Sequence, residues 1–242
     1  MAFFNFNSSQ LSYQTFGNPS NPALLLLHGN NGSQHDFKRH VTYLVPDFYV
    51  ITQDARGHGQ STSNTDHLTY SLLAQDVEAL RQELHITHWH IVGYSDGANL
   101  ALRYTLDFPG HTDTMVLNAP NLTLSGVQAP VMALATGIDW LLRRTRYLSK
   151  FLHARWLQTQ LMFESPHVSK ADLRLVPNRT LVLVGQFDFI KRQHSENIAN
   201  SLPNGQLMVV KFRSHLFRFP HTHSQKSCVS LLRSYSYESE MA

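Results

Sequence analysis

Cysteine is nearly absent from this chain. Cys228 is the one example in 242 residues, so no internal disulfide can form, and the pattern fits a reducing cytoplasm. Long apolar runs are missing as well. None reaches the ~20 residues that a membrane-spanning helix needs, and the start, Met1-Ala2-Phe3-Phe4-Asn5, lacks the basic, then apolar pattern of a signal peptide. Neither a leader nor a membrane partner is expected. No long block of like charge occurs and the formal net charge is only +3, which argues against a nucleic-acid partner. There is no Walker pattern and no G-x-G-x-x-G, so no cofactor is expected. The chain has 15 histidines, but no H-E-x-x-H, and no cysteine lies beside the pairs His88/His90 and His221/His223. No metal is expected, and most of these histidines read as surface residues.

The chain is well supplied with apolar residues. At 42% hydrophobic and 15% charged, it can bury a large core, and its length suits one domain. Short continuous apolar runs recur: 23–27, 49–52, 90–92, 114–117, 180–184 and 206–210. Continuous rather than alternating hydrophobicity is what a strand buried on both faces requires. Between them, Ser71 to Leu84 carries Leu72, Leu73, Val77, Leu80 and Leu84 at helical steps, and Gly97 to Phe108 reads likewise. Strand–helix alternation implies an α/β fold, a mostly parallel sheet with helices on both faces. Phe3 to Phe16 alternates instead, around Asn7-Ser8-Ser9, and suits an antiparallel hairpin at the sheet edge.

The alternation stops between residues 121 and 178. No good strand occurs there; Val131 to Lys150 and Phe151 to Met162 read as helices, punctuated by Pro120, Pro130, Pro166 and Pro177. This stretch reads as a small helical cap over the carboxyl ends of the strands. It is inserted into a core made of residues 1–120 and 179–242. Arg143-Arg144-Thr145-Arg146, with Lys150 and Arg155, reads as the solvated face of a helix.

Residues 93–97, Gly93-Tyr94-Ser95-Asp96-Gly97, stand between a strand and a helix. A strand turning abruptly into a helix forces its middle residue into strained backbone angles and leaves no room for side chains two residues either way. The turn would lift the Ser95 hydroxyl out of the sheet, at the helix N-terminus. A serine hydroxyl needs a base, and the base an orienting acid. In an α/β sheet these come from loops at the carboxyl ends of strands. Asp188 follows the strand at 180–184 and is the candidate acid; its competing role is the N-cap of the next helix. His215 follows the last strand and is the candidate base, with His221 and His223 as rivals near the start of a terminal helix marked by Cys228, Leu231, Leu232 and Tyr235. Two N–H donors must face the oxyanion. Asp96 N–H at the helix start and Asn30 N–H in the loop His28-Gly29-Asn30-Asn31-Gly32 are the candidates. His28 reads as a support for that loop.

His28-Gly29-Asn30, Asp54-Ala55-Arg56-Gly57-His58-Gly59-Gln60-Ser61, the elbow at 93–97, Gly185-Gln186-Phe187-Asp188 and Ser214-His215 follow one another in the order and spacing of the α/β-hydrolase fold family. The chain resembles that family along nearly its whole length. The resemblance implies an eight-stranded, mostly parallel sheet, an acid after strand seven and a histidine after strand eight, which places the helical insert between strands six and seven. It also implies that Asp54, Arg56 and His58 form a structural turn. Three departures stand out: Ala98 where a glycine is common, Phe212-Arg213-Ser214 before His215, and Ser8-Ser9 in the hairpin.

The expected activity is a serine hydrolase that cleaves small carboxylic esters or thioesters through an acyl-enzyme on Ser95. The partner is a small-molecule acyl substrate, with Leu134, Ile138, Leu141, Leu142 and Trp156 as candidate pocket residues of the cap. Alternatives at the same residues are aminopeptidase-like amide hydrolysis, with Glu164 or Asp139 holding a substrate amine, carbon–carbon hydrolase or lyase chemistry, and a slow binding protein. A serine at the elbow argues against dehalogenase and epoxide hydrolase chemistry, which need a carboxylate nucleophile.

Overall fold

Eight strands form one sheet, seen in a computed structural model that describes residues 1–215. The strands are β1 (Ala2–Phe6), β2 (Ser9–Phe16), β3 (Ala23–Leu27), β4 (Tyr49–Gln53), β5 (Trp89–Tyr94), β6 (Thr112–Asn118), β7 (Arg179–Phe187) and β8 (Gly205–Ser214). Their order is β1-β2-β4-β3-β5-β6-β7-β8. Only β2 runs antiparallel to its neighbours, β1 and β4. The expected terminal helix with Cys228, and the rival histidines His221 and His223, lie outside the described residues.

The edge hairpin turns more tightly than the sequence pattern suggests. Ser9 already pairs with Phe6, so the turn is Asn7-Ser8. Both residues have positive φ, 45° and 56°, as the two-residue turns that match strand twist require.

Alternation along the central strands feeds two cores. Leu25, Leu27, Ile51, Ile91 and Leu117 pack on one face with helices α2 (Tyr70–Glu83) and α3 (Asp96–Asp107). Leu24, Leu26, Val50, Val92 and Val116 pack on the other with Phe37, Val41 and Leu44. The last two belong to α1 (Lys38–Leu44). Helix α2 starts at Thr69, whose hydroxyl accepts from the Leu72 N–H at 3.1 Å, satisfying one of the free donors of the first turn.

No strand occurs between β6 and β7. That stretch holds α4 (Ala129–Thr145), α5 (Lys150–Leu161) and the short α6 (Lys170–Leu173). Pro130 occupies the first turn of α4, where its missing N–H costs no bond. A single 3-10 turn, Arg146–Leu148, joins α4 to α5, and the Ser149 hydroxyl caps α5 by accepting from Leu152 N–H at 3.2 Å. Helix α5 then rests on loops at the carboxyl ends of β3 and β4: Arg155 Nη1 donates to Asn31 Oδ1 at 2.9 Å, and Gln158 Nε2 donates to the Gly57 carbonyl at 2.7 Å. Of the candidate pocket residues, Trp156 is buried and Leu142 packs on the core. Leu134, Ile138 and Leu141 are exposed, so they line no enclosed pocket. Ala135 is the one buried residue of that helix.

Candidate active site

The turn from β5 into α3 is strained at its centre. Ser95 has φ 53° and ψ −117°, a region a non-glycine residue enters only when its surroundings force it. Its N–H donates to the Asn118 carbonyl at 2.8 Å, tying the turn to the end of β6. A Cβ at Gly93 would collide with the Gly97 carbonyl, and one at Gly97 with the Leu27 carbonyl. Both glycines are therefore fixed by close backbone approach. Ala98, the departure from the family pattern, is fully buried against that crossing.

His215 stands beyond β8 and reaches both neighbours. Its Nε2 lies 3.3 Å from Ser95 Oγ, and its Nδ1 lies 2.8 Å from Asp188 Oδ1. A carboxylate on Nδ1 places the proton there and leaves the Nε2 lone pair facing the hydroxyl. Asp188 is itself held by the N–H of Ile190 at 2.9 Å and that of Gly185 at 3.3 Å. Its competing role is not seen: the next helix, α7 (Arg192–Ser201), has Lys191 at its N-cap. Asp188 and His215 are both buried, 5% and 6% exposed, so this pair is shielded from water.

Two contacts of His215, and a third of its neighbour Phe189, have no signal in the sequence. Tyr94 donates its hydroxyl to the His215 carbonyl at 2.6 Å. Phe189 stacks on the imidazole with ring centroids 3.7 Å apart. Val131 and Met132, at the start of α4, pack in the same small cluster as Ile190 and Phe189. Arg213, also beside the base in sequence, is exposed.

Asn30 and Asp96 meet through their side chains. Asn30 Nδ2 donates to Asp96 Oδ2 at 2.8 Å and to the Gln158 carbonyl of α5 at 2.7 Å. One amide thus joins the loop after β3, the start of α3 and the helical insert. Asp96 opens α3, so its backbone N–H belongs to the turn that has no intrahelical acceptor. Burial pushes the Asp96 carboxyl up from its ordinary range, against the pull of hydrogen bonds from Asn30 and Tyr70.

The surrounding polar residues support the loops. Asp54 accepts from Gln34 N–H at 2.7 Å and from Gln60 N–H at 2.9 Å. Arg56, fully buried, pairs with Asp76 at 2.5 Å. His28 Nε2 accepts from Ala55 N–H at 3.0 Å, so its Nδ1 carries the proton given to the Gly29 carbonyl at 2.8 Å. Burial lowers the His28 pKa and drives that of His58 down to about 3. Glu164 lies near His67 and His167, and Asp139 bonds Gln160. Among the described residues, no three His, Cys, Asp or Glu side chains are grouped to hold a metal ion.

Known proteins share this fold. A family model described as alpha/beta hydrolase fold matches residues 22–175. A proline iminopeptidase of Xylella fastidiosa is 35% identical over 114 residues, which are 46% of this chain and 36% of that protein. This chain therefore aligns with only about a third of that relative. Among solved structures, a thermophilic esterase from Thermogutta terrifontis superposes with a TM-score of 0.76 at 20% identity, covering 95% of this chain and 94% of the esterase. A meta-cleavage product hydrolase from Pseudomonas fluorescens does so at 0.72 and 18%, covering 97% and 96%. Strand order, elbow and sequence match agree, and the chain belongs to the α/β-hydrolase fold family.

Proposed function

We propose that this protein is a serine hydrolase of small carboxylic esters or thioesters, working through an acyl-enzyme. The observation that carries the reading is the position of one imidazole, 3.3 Å from the Ser95 oxygen on one side and 2.8 Å from Asp188 on the other. Ser95 Oγ attacks the substrate carbonyl while His215 Nε2 takes its proton. Asp188 keeps the other ring proton in place and stabilises the imidazolium. The oxyanion is met by the backbone N–H groups of Asn30 and Asp96, held at a fixed spacing by the side-chain bond between the same two residues. His215 then returns its proton to the leaving alcohol or thiol. Water attacks the acyl-enzyme, His215 accepts a proton from it, and collapse of the second tetrahedral species releases the acid and restores the serine proton. The helical insert at 121–178 acts as a cap whose α5 closes one side of the acyl pocket.

Turnover of p-nitrophenyl esters of graded chain length tests this reading. Ser95→Ala should abolish turnover with folding intact, and a fluorophosphonate should label the wild type at Ser95. A folded wild type that neither turns over esters nor labels rejects it in favour of a binding protein.

A second reading, hydrolysis of an aminoacyl substrate, is favoured by Asp96. It sets a buried carboxylate directly after the nucleophile, where a substrate ammonium would find a counter-charge. Asp96 has Asn30 as a partner, as Glu164 has His67 and Asp139 has Gln160, but Asp96 alone adjoins Ser95 in the chain. Alanine and proline p-nitroanilides separate the readings: under the second, they outpace simple esters, and Asp96→Asn, whose amide oxygen can still accept from Asn30, raises their KM more than it changes simple-ester turnover.

A further inference from the structure

The hairpin of α4 and α5 carries a surface that the chemistry above does not use. Fourteen large hydrophobic side chains are exposed among the described residues, and half of them fall between residues 134 and 151. Isolated exposed apolar residues are ordinary; a cluster is not. Leu134, Ile138 and Leu141 form one stripe at helical spacing along the outer side of α4. The most exposed lie at the connection to α5: Tyr147 at 77%, Leu148 at 76% and Phe151 at 68%. They fall on the 3-10 turn between the two helices and on the first turn of α5.

Positive charge is interleaved with them. Arg143, Arg144, Arg146 and Lys150 all fall within this stretch, and Asp139 is its only acid. Asp139 is spoken for by Gln160 and by Arg143 at 3.7 Å. The Arg144 guanidinium lies over the Trp140 ring at 4.3 Å, and Arg146 over Tyr147 at 4.7 Å. The hairpin is therefore more basic than the chain as a whole, whose net charge is +3.

Charge decides between occupants. A second copy would bring the same basic face and be repelled. Residues 216–242 hold Arg218, Lys226 and Arg233 against Glu238 and Glu240, so they offer no net negative charge either. An anionic bilayer offers both complements. Its headgroups meet Lys and Arg, and its interface accepts aromatic and leucine side chains without needing a shaped pocket.

We infer that the turn joining α4 to α5 docks on the surface of an anionic phospholipid bilayer, with Tyr147, Leu148 and Phe151 entering the interface and Arg143, Arg144 and Lys150 meeting headgroups. The contact is peripheral. Among the described residues, no helix is long and apolar enough to cross a membrane. The expectation of no membrane partner rested on the lack of a spanning run, which surface docking does not need. The inference stands apart from the reaction proposed above, because it is read by binding without turnover.

The test is cosedimentation of the whole protein with vesicles of phosphatidylcholine alone, and of phosphatidylcholine mixed with phosphatidylglycerol. Binding to the mixed vesicles should be at least about tenfold tighter and should weaken as salt is raised. Arg143→Glu with Arg144→Glu should lower it by about tenfold or more. Leu148→Ser with Phe151→Ser should do the same by removing the apolar anchor. These side chains are exposed, so circular dichroism melts should match the wild type. Equal binding to both vesicles, no binding, or binding indifferent to both double variants overturns the inference. So does a dimer on gel filtration that the Leu148/Phe151 variant dissociates, which would assign the face to a second copy.

Discussion

The Asn30 side-chain amide donates to the Asp96 carboxylate at 2.8 Å, across 66 positions of sequence. The bond ties the β3 loop to the start of α3, the two elements whose backbone N–H groups meet the oxyanion in the reaction proposed above. Removing it should loosen the oxyanion site without unfolding the protein. Asn30→Ala should lower kcat on p-nitrophenyl esters by about ten- to a hundredfold with KM little changed, since small misplacements at a reacting centre are costly. A KM rise at constant kcat would show that Asn30 serves substrate binding instead.

Ser95 keeps a strained backbone, φ 53° and ψ −117°. Strain of this kind costs about 1–3 kcal/mol, and glycine relieves it while adding about 0.5–1 kcal/mol of unfolded-state entropy. Ser95→Gly should therefore raise stability by about 1 kcal/mol, seen as a melting temperature about 2–4 °C higher, together with complete loss of ester turnover. A lower melting temperature would mean that the backbone at 95 stores no strain.

Arg56 and Asp76 pair in a fully buried place, and burial raises the Asp76 pKa despite that partner. Removing one member leaves the other charge without compensation. Asp76→Ala should destabilise the fold by about 3–5 kcal/mol in urea titrations. Arg56→Met together with Asp76→Leu should recover much of that loss.

Acid should weaken the fold through two buried histidines. Burial lowers His58 to about 3 and His90 to about 4. Because the folded pKa lies below the unfolded value, the stabilisation is complete above about pH 6.5 and is lost as pH falls towards the folded pKa. By about pH 4.5 each residue should have cost about 2–3 kcal/mol. The comparison to make is urea midpoints at neutral pH and at about pH 4.5; His90→Gln should flatten the dependence, and an unchanged slope would refute the assignment.

Much of the site was legible because its signals are local. Gly93-Tyr94-Ser95-Asp96-Gly97 marks its own turn, and Asp188 and His215 follow strands whose apolar runs are unmistakable. Other parts carry no local mark. Tyr94 reaches the His215 carbonyl from 121 positions away, and Phe189 meets the imidazole only once β7 and β8 lie side by side. Helix α1 has just seven residues, and α7 offers only Ile198 and Ala199 as adjacent apolar side chains. Neither shows the repeated spacing that made residues 71–84 readable. The exposed side of α4 is hidden from the sequence for a related reason: Leu134, Ile138 and Leu141 recur with helical spacing, but spacing alone does not say which stripe faces inward.

The helical insert begins by gripping the Asp188 loop. Val127 bridges Ile190, Gln128 N–H donates to the Phe189 carbonyl at 2.9 Å, and the Gln128 side-chain amide donates to the Asp188 carbonyl at 3.0 Å. Those contacts make residue 128 a natural seam for transplantation. A foreign helical segment grafted after it would inherit the anchor, replace α4 and α5 and leave the loop that holds Asp188 as it was.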